Sequence, residues 1–411
     1  MATNKTSKKI RILHINGAYG KGGAAQVMDD ISRHISALDS GISSSFMVGR
    51  DYSSGKKACE LLSKTQFLCN VFYTRLTGKD CFGLPFSKPS AIEKHIAENC
   101  DIIHLHNLHG YYFNLNDIDL FKTKPCIWTV HDFWLNTSRV CYYDEKNFDY
   151  ETGKYYKLSE YPKSWFLNRG VSISHNKRKL IKSLSDHIVF VAVSEYTKKE
   201  IQRVYPNLNI QVIHNGIDTD TFKPHKNSES GPSGNFKIVA MASDFKDERK
   251  GFLTLIKVLS ILANKDIKNR FFIELIGNLH LPFNYRHLTR GITMKVHGYL
   301  NEKEDIVKIL SQANLFVNLS RNETFCLSNV EAMACGTPVL LLENEINREI
   351  VGDAGVYLNT NNPSDVADFL SNIINHKIIL PGSEMLRERG LHFKIDNCAN
   401  AYRNLYRTKA N

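Results

Sequence analysis

Residues 315–342 read LFVNLSRNETFCLSNVEAMACGTPVLLL, and their pattern sets the architecture of the chain. Leu315–Leu319 and Pro338–Leu342 are apolar runs of strand length. Between them a polar loop leads into a segment with apolar residues at helical spacing. That helix is expected to begin near Cys326–Ser328 and to stop at Gly336, a residue suited to a helix end. Strand, loop, helix and strand in this order form the repeating unit of a parallel sheet flanked by helices.

The same alternation extends in both directions. Before this stretch come runs at Lys237–Met241, Phe272–Ile276 and Thr293–Val296. An earlier series lies at Ile10–Ile15, Ser45–Val48, Ile102–His106, Cys126–Val130, Ile188–Val193 and Ile210–Ile213. The polar stretch Pro224–Asn235 (PHKNSESGPSGN) separates the series and reads as a linker or exposed loop. At 411 residues the chain is too long for one ordinary core. The expected fold class is therefore α/β, with two Rossmann-like, doubly wound parallel-sheet domains facing across a cleft. Ligands of such sheets bind beyond the carboxyl ends of the strands.

Composition narrows the class. Apolar residues make up 42% and charged residues 23%, as in an ordinary globular protein. The net charge of +11 suits nucleic acid, an anionic membrane face or a phosphorylated substrate, and the basic residues form no single block that would choose among them. The nine cysteines include no Cys-x-x-Cys pair and read as buried free thiols of a reducing cytosol. The N-terminal stretch lacks the apolar core of a signal peptide, and no run reaches membrane-spanning length. The expected location is the cytoplasm, with a membrane surface on which the protein can rest.

Four constellations fall at strand ends. Glu323 lies in the loop after Leu315–Leu319, and Glu331 about one turn into the following helix. Backbone N–H groups at that helix start suit a diphosphate, and two carboxylates can accept hydrogen bonds from sugar and ribose hydroxyls. Ser328-x-x-Glu331 also fits a capping box, which would give Glu331 a purely structural role. Lys246-Asp-Glu-Arg249-Lys250-Gly251 follows Lys237–Met241 and reads either as a solvated turn or as positive charge for a leaving diphosphate. Gly17-Ala-Tyr-Gly20-Lys-Gly22-Gly23 follows the first strand and is neither a dinucleotide fingerprint nor a P-loop. His104, His106, Asn107, His109, His131 and Asp132 form a polar set with no metal-binding spacing, in which His131 is the best candidate to touch a polar substrate. Residues 137–180, rich in Tyr, Lys and Arg, break the alternation and read as a functional or mobile insertion.

In this order the elements resemble the retaining glycosyltransferase family 4, whose members have the GT-B fold. The resemblance rests on the glycine-rich loop, Thr129-Val-His131-Asp132, Val193-Ser194-Glu195, Ile213-His-Asn215-Gly216-Ile217-Asp218, Lys250-Gly251, and Glu323 to Glu331 with its Glu-Ala-Met-Ala-x-Gly-Thr-Pro continuation. His104 through Trp134 is similar to the subgroup acting in bacterial exopolysaccharide synthesis, including colanic-acid-type enzymes. The resemblance implies an N-terminal acceptor-side domain over 1–217 that regains a C-terminal helix, 393–411, and a nucleotide-sugar-binding domain over 218–392. It implies that Glu323 contacts the donor sugar, that Glu331 contacts the ribose, and that the backbone of Phe325, Cys326 and Leu327 meets sugar and diphosphate. Lys250, with Arg249, would stabilise the departing UDP or GDP. His131 would touch the transferred sugar, and Gly22 and Gly23 would approach the diphosphate. Catalysis by His131, Lys250 and Glu323 would need no metal or other cofactor. The acceptor would be a growing lipid-linked oligosaccharide of O-antigen, capsule or exopolysaccharide synthesis, at the inner membrane surface.

Three positions depart from the family. Cys326 stands where glycine is common, and Phe245 where an arginine precedes the Lys-Gly pair. The insertion carries only Cys141 where relatives often have several cysteines, so a metal-bound or disulfide-stapled insertion is not expected. The rival readings are another GT-B enzyme such as an epimerase or phosphorylase, a non-catalytic GT-B-fold partner of an assembly complex, and a nucleic-acid-binding protein. The last has no binding motif to accompany the charge.

Overall fold

The computed structural model describes residues 9–143, 145–155, 164–165, 170–225, 235–267, 269–279, 287–288 and 290–410. The chain divides into two compact units, 1–216 with 395–411, and 217–394.

The first unit holds a seven-stranded parallel sheet. Its strands are β1 (Ile10–Tyr19), β2 (Ile42–Asp51), β3 (Cys59–Glu60), β4 (Ile102–Leu105), β5 (Cys126–Val130), β8 (Ile188–Ala192) and β9 (Ile210–Val212), in the order β3-β2-β1-β4-β5-β8-β9. Helices cover both faces, so β4 and β5 are buried along their whole length and read as unbroken apolar runs. The last helix, Ile395–Ala410, belongs to this unit and buries Tyr402 and Tyr406 against it. At the crossing the chain passes so close that a Cβ on Gly216 would lie 2.5 Å from Cα of Ile395.

The second unit holds a six-stranded parallel sheet of β10 (Phe236–Asp244), β11 (Phe271–Asn278), β12 (Met294–Val296), β13 (Leu315–Asn318), β14 (Val339–Leu342) and β15 (Gly355–Leu358), in the order β12-β11-β10-β13-β14-β15. Ile238 pairs with Leu315, and Phe316 with Val339. The stretch 315–342 is thus β13, helix Leu327–Ala334 and β14.

Several expectations are corrected. β1 continues to Tyr19, so the glycine-rich stretch begins inside a strand and the tight turn is confined to Gly20–Gly22. The two-residue β3 and the largely half-buried β15 escape the apolar-run pattern. The insertion contains an antiparallel hairpin of β6 (Phe148–Asp149) and β7 (Lys154–Tyr155) and a helix, Gly170–Leu184. It is not a plain loop. Tyr143 and Tyr155 are buried with Phe133, Val140 and Phe148, and the Tyr143 and Phe148 rings stack at 3.9 Å. Tyr156, Tyr161, Lys163 and Arg169 lie outside the described residues, as does 226–234 of the expected linker.

Candidate functional site

Neighbouring parallel strands bring their carboxyl ends together, and β10 and β13 are neighbours. The loop after β10 therefore meets the loop after β13, and Gly251 lets them touch. Its φ of +68° is left-handed, and a Cβ there would lie 2.3 Å from the carbonyl oxygen of Leu319. Two hydrogen bonds lace the loops: the Arg321 backbone N–H donates to the Arg249 carbonyl at 2.9 Å, and the side-chain Nη1 of Arg249 donates to the Asn322 carbonyl at 2.8 Å.

This lacing places Lys250 against Glu323. The Lys250 ammonium donates to Glu323 Oε1 at 2.5 Å, and Ser320 Oγ donates to the same oxygen at 2.7 Å. Arg249 Nη1 is 3.6 Å from Oε2, and Arg249 Nη2 donates to Asp247 Oδ2 at 2.7 Å. Glu323 is 7% exposed. Burial alone would raise its pKa, but the Lys250 and Arg249 charges and the Ser320 hydrogen bond outweigh it and hold the carboxyl below its ordinary value. An ionised acceptor flanked by two cations can take sugar hydroxyls on one side while the cations face a phosphate. Ser320 could not be singled out from sequence, because a serine in a loop carries no pattern.

Helix Leu327–Ala334 begins at Cys326, which has φ +68° and ψ +78°, and no side-chain hydrogen bond caps this N-terminus. The capping box expected from Ser328 and Glu331 does not form, since Ser328 already lies inside the helix. Cys326 adopts the left-handed conformation that glycine takes with less strain. The left-handed turn is thus made despite the Cβ, and Sγ accepts from Asn318 Nδ2 at 3.0 Å. Burial pushes this thiol's pKa up, so it stays protonated and inert. Phe325 is buried and packs edge-on against Phe393 at 5.4 Å. Glu331 is buried one turn into the helix. Arg387 closes the other end, donating to the Ala334 carbonyl at 2.7 Å.

The departure at Phe245 has a packing explanation. Its ring is buried against Phe252 at 4.5 Å and belongs to the core, so this position supplies no charge. Lys246 is exposed beyond it. Arg249 and Lys250 are the cations that the fold directs at Glu323, Lys250 at 2.5 Å and Arg249 at 3.6 Å.

In the other unit, Gly22 caps helix Gly23–Leu38 with φ +90° and ψ +159°, a conformation open only to glycine, and a Cβ at Gly22 or Gly23 would meet nothing within 4 Å. That helix start is uncrowded backbone at the carboxyl end of the sheet. Val193-Ser194-Glu195 proves to be a strand end and a helix cap, Ser194 Oγ accepting from Thr197 N–H at 3.0 Å. His131 follows β5 but is not an exposed loop histidine. It is one end of a buried chain: His131 Nε2 lies 2.9 Å from His106 Nδ1, His106 Nε2 lies 3.1 Å from His14 Nδ1, and His14 Nε2 lies 3.3 Å from Ser44 Oγ. Burial pushes His131 down to about 4 and His14 to about 3, so both are neutral near pH 7. Each ring in such a chain donates at one nitrogen and accepts at the other. His14 was invisible as a partner because it sits within an apolar strand, 92 residues from His106.

Among the described residues, two buried trios, His14/His104/His106 and His109/Asp132/Cys141, bring possible metal-ligating atoms within 4.8 Å of one another. In the first, every ring nitrogen already has a hydrogen-bond partner; those of His104 are Tyr406 OH at 2.6 Å and Thr129 Oγ1 at 2.8 Å. The second lies beside Lys177, whose ammonium bonds the Trp134 and Thr137 carbonyls at 2.9 and 3.0 Å and whose pKa burial lowers to about 8.

Both units match family models. Residues 21–221 match Glycosyltransferase Family 4, and residues 223–390 match Glycosyl transferases group 1. The chain is a family 4 glycosyltransferase. This glycosyltransferase is 26% identical over 377 residues to an Escherichia coli K12 protein whose name is that of a colanic acid biosynthesis glycosyl transferase, WcaC, covering 84% of this chain and 86% of that one. It is 32% identical over 251 residues to O-antigen chain mannosyltransferase B of Escherichia coli, covering 57% and 64%. Its fold is GT-B, superposing on WaaG, a glycosyltransferase involved in lipopolysaccharide biosynthesis, with a TM-score of 0.67, 14% identity and coverage of 96% and 99%.

Proposed function

We propose that this glycosyltransferase moves a sugar from a UDP- or GDP-linked donor to a lipid-linked oligosaccharide in bacterial surface polysaccharide synthesis, with retention of configuration and without a metal. The observation that carries the reading is the Lys250–Glu323 pair, with Arg249 beside it, near the start of helix Leu327–Ala334. Glu323 would accept hydrogen bonds from the donor sugar and Glu331 from the ribose. Lys250, Arg249 and the N–H groups of the helix start would take the diphosphate charge as it develops. Phe325, Cys326 and Leu327 would offer backbone there, and Gly22 and Gly23 would approach the diphosphate. His131 would touch the transferred sugar as a neutral imidazole.

In the proposed step the bond from the anomeric carbon to the phosphate oxygen breaks. The acceptor oxygen bonds to that carbon on the same face, and its proton passes to the departing phosphate. The products are a glycoside and a nucleoside diphosphate. The polysaccharide role is supported by the names of the two Escherichia coli relatives. The alternative, a non-catalytic partner of an assembly complex, is disfavoured by the presence of Lys250, Glu323 and Glu331 together.

The test is proton NMR of the initial product formed on a lipid-linked acceptor, with and without a chelator. An anomeric configuration matching the donor, at a rate the chelator leaves unchanged, supports the reading. An inverted product or loss of turnover on chelation overturns the corresponding part.

A further inference from the structure

Helix Lys64–Thr77, KTQFLCNVFYTRLT, seats Phe67 against the core but carries a second apolar stripe on its outer face. A surface helix normally buries its leucines and wets its asparagines. Here Asn70 and Thr74 are fully buried, while Leu68, Phe72 and Leu76 are 55%, 56% and 44% exposed. These three are one turn apart and form a single outward stripe. The orientation is fixed from the inside: Asn70 Nδ2 donates to the carbonyls of Phe86 and Tyr111, both at 2.8 Å, and its Oδ1 accepts from Phe86 N–H at 3.1 Å. Rolling the stripe inward would break all three bonds.

Trp165 extends the stripe. Its ring meets Phe72 edge-on at 5.6 Å, the residue is 46% exposed, and its backbone N–H donates to the Arg75 carbonyl at 2.8 Å. The charges on the helix itself share one sign. Residues 64–79 include Lys64, Arg75 and Lys79 and no Asp or Glu, in a chain of net charge +11. A second copy of the same surface would set these cations against their own images. An anionic bilayer complements both features, apolar acyl chains for the stripe and phosphate headgroups for its cationic border. No helix of the described residues is long and apolar enough to cross a membrane.

We propose that helix Lys64–Thr77 docks this enzyme onto an anionic lipid surface. Leu68, Phe72, Leu76 and Trp165 enter the acyl boundary, and Lys64, Arg75 and Lys79 meet the headgroups. This deepens the proposed function, since a lipid-linked acceptor lies at that surface.

The experiment is co-sedimentation of the full chain with vesicles of phosphatidylcholine alone or with phosphatidylglycerol, together with tryptophan emission. Of the three tryptophans, Trp128 and Trp134 are buried and Trp165 is exposed, so a blue shift on binding reports Trp165. Wild type should bind the phosphatidylglycerol vesicles in a salt-sensitive way with a blue shift. W165F should lose the shift. The L68S/F72S double variant should lose at least roughly tenfold in partitioning with an unchanged melting temperature. Ile379→Ser, at an exposed apolar residue of the other unit, should bind like wild type. Wild-type failure to bind, unaltered binding by L68S/F72S, or conversion of a dimer to a monomer by that variant overturns the proposal. Vesicle binding without any donor turnover would instead count against the enzymatic reading alone, and turnover of a soluble acceptor without vesicle binding against the docking alone.

Discussion

Lys250 Nζ lies 2.5 Å from Glu323 Oε1, across loops that follow two adjacent strands. The pair is asymmetric: the Lys250 side chain is 22% exposed and that of Glu323 8%. Removing the lysine leaves a buried carboxylate that only Ser320 and Arg249 still serve. Lys250→Met should destabilise the fold by about 1–3 kcal/mol. Glu323→Gln still accepts from Lys250 and Ser320 and should cost less. Urea midpoints of the two variants check the order, and both should lose most of their transfer activity.

Gly251 and Gly22 both have positive φ but differ in surroundings. At 251 a methyl group would strike the Leu319 carbonyl, whereas at 22 it would meet nothing. Gly22→Ala should therefore cost backbone strain alone, about 1–3 kcal/mol. Gly251→Ala adds a clash and must separate the loops that seat Lys250, so it should lose more stability and also lose activity. Equal losses in thermal denaturation would contradict this.

Cys326 holds a left-handed conformation with a Cβ. Cys326→Gly relieves strain of about 1–2 kcal/mol and gives back about 0.5–1 kcal/mol in chain entropy, so stability should hardly change and donor affinity should persist. Cys326→Val places a β-branched residue at a true outlier and should be clearly less stable. Calorimetric melting of the three proteins tests the ranking.

The histidine chain makes the first unit sensitive to mild acid. Unfolded histidine takes up a proton near pH 6.5, whereas buried His131 and His14 wait until about 4 and about 3. Between those values the unfolded state binds more protons, so stability falls as pH falls. The slope is at most about 1.4 kcal/mol per pH unit for each such histidine. Glu323 behaves as a depressed carboxylate: its stabilisation is present above the ordinary value near 4.5 and is lost only below it, as pH falls through its folded value. The loss of stability should thus begin near pH 6.5, well before the carboxylate contributes. Urea unfolding of wild type and His106→Gln across this range tests the point, with a shallower slope expected for the variant.

These contrasts show which parts of the molecule the sequence discloses. Strands buried on both faces, such as β4, β5 and β14, are continuous apolar runs, so alternation alone locates them. Glu323 could be singled out because an acid just past such a run sits at the ligand end of the sheet. Short range hides the rest. β3 is two residues long, and Ser328 has the spacing of a cap but lies past the helix start. His14, Ser320 and Asn70 acquire their partners only through tertiary packing, across separations that no local pattern encodes. Phe245 is read correctly only when Phe252 is seen beneath it.

We infer that Glu323 and Lys250 grip a nucleotide-sugar donor. The direct measurement is donor hydrolysis and thermal shift for wild type and Glu323→Ala over a panel of UDP- and GDP-sugars. At least one donor should raise the wild-type melting temperature and be hydrolysed, while Glu323→Ala stays folded and turns over none. Absence of protection and hydrolysis by every donor, or full activity in Glu323→Ala, would contradict the account.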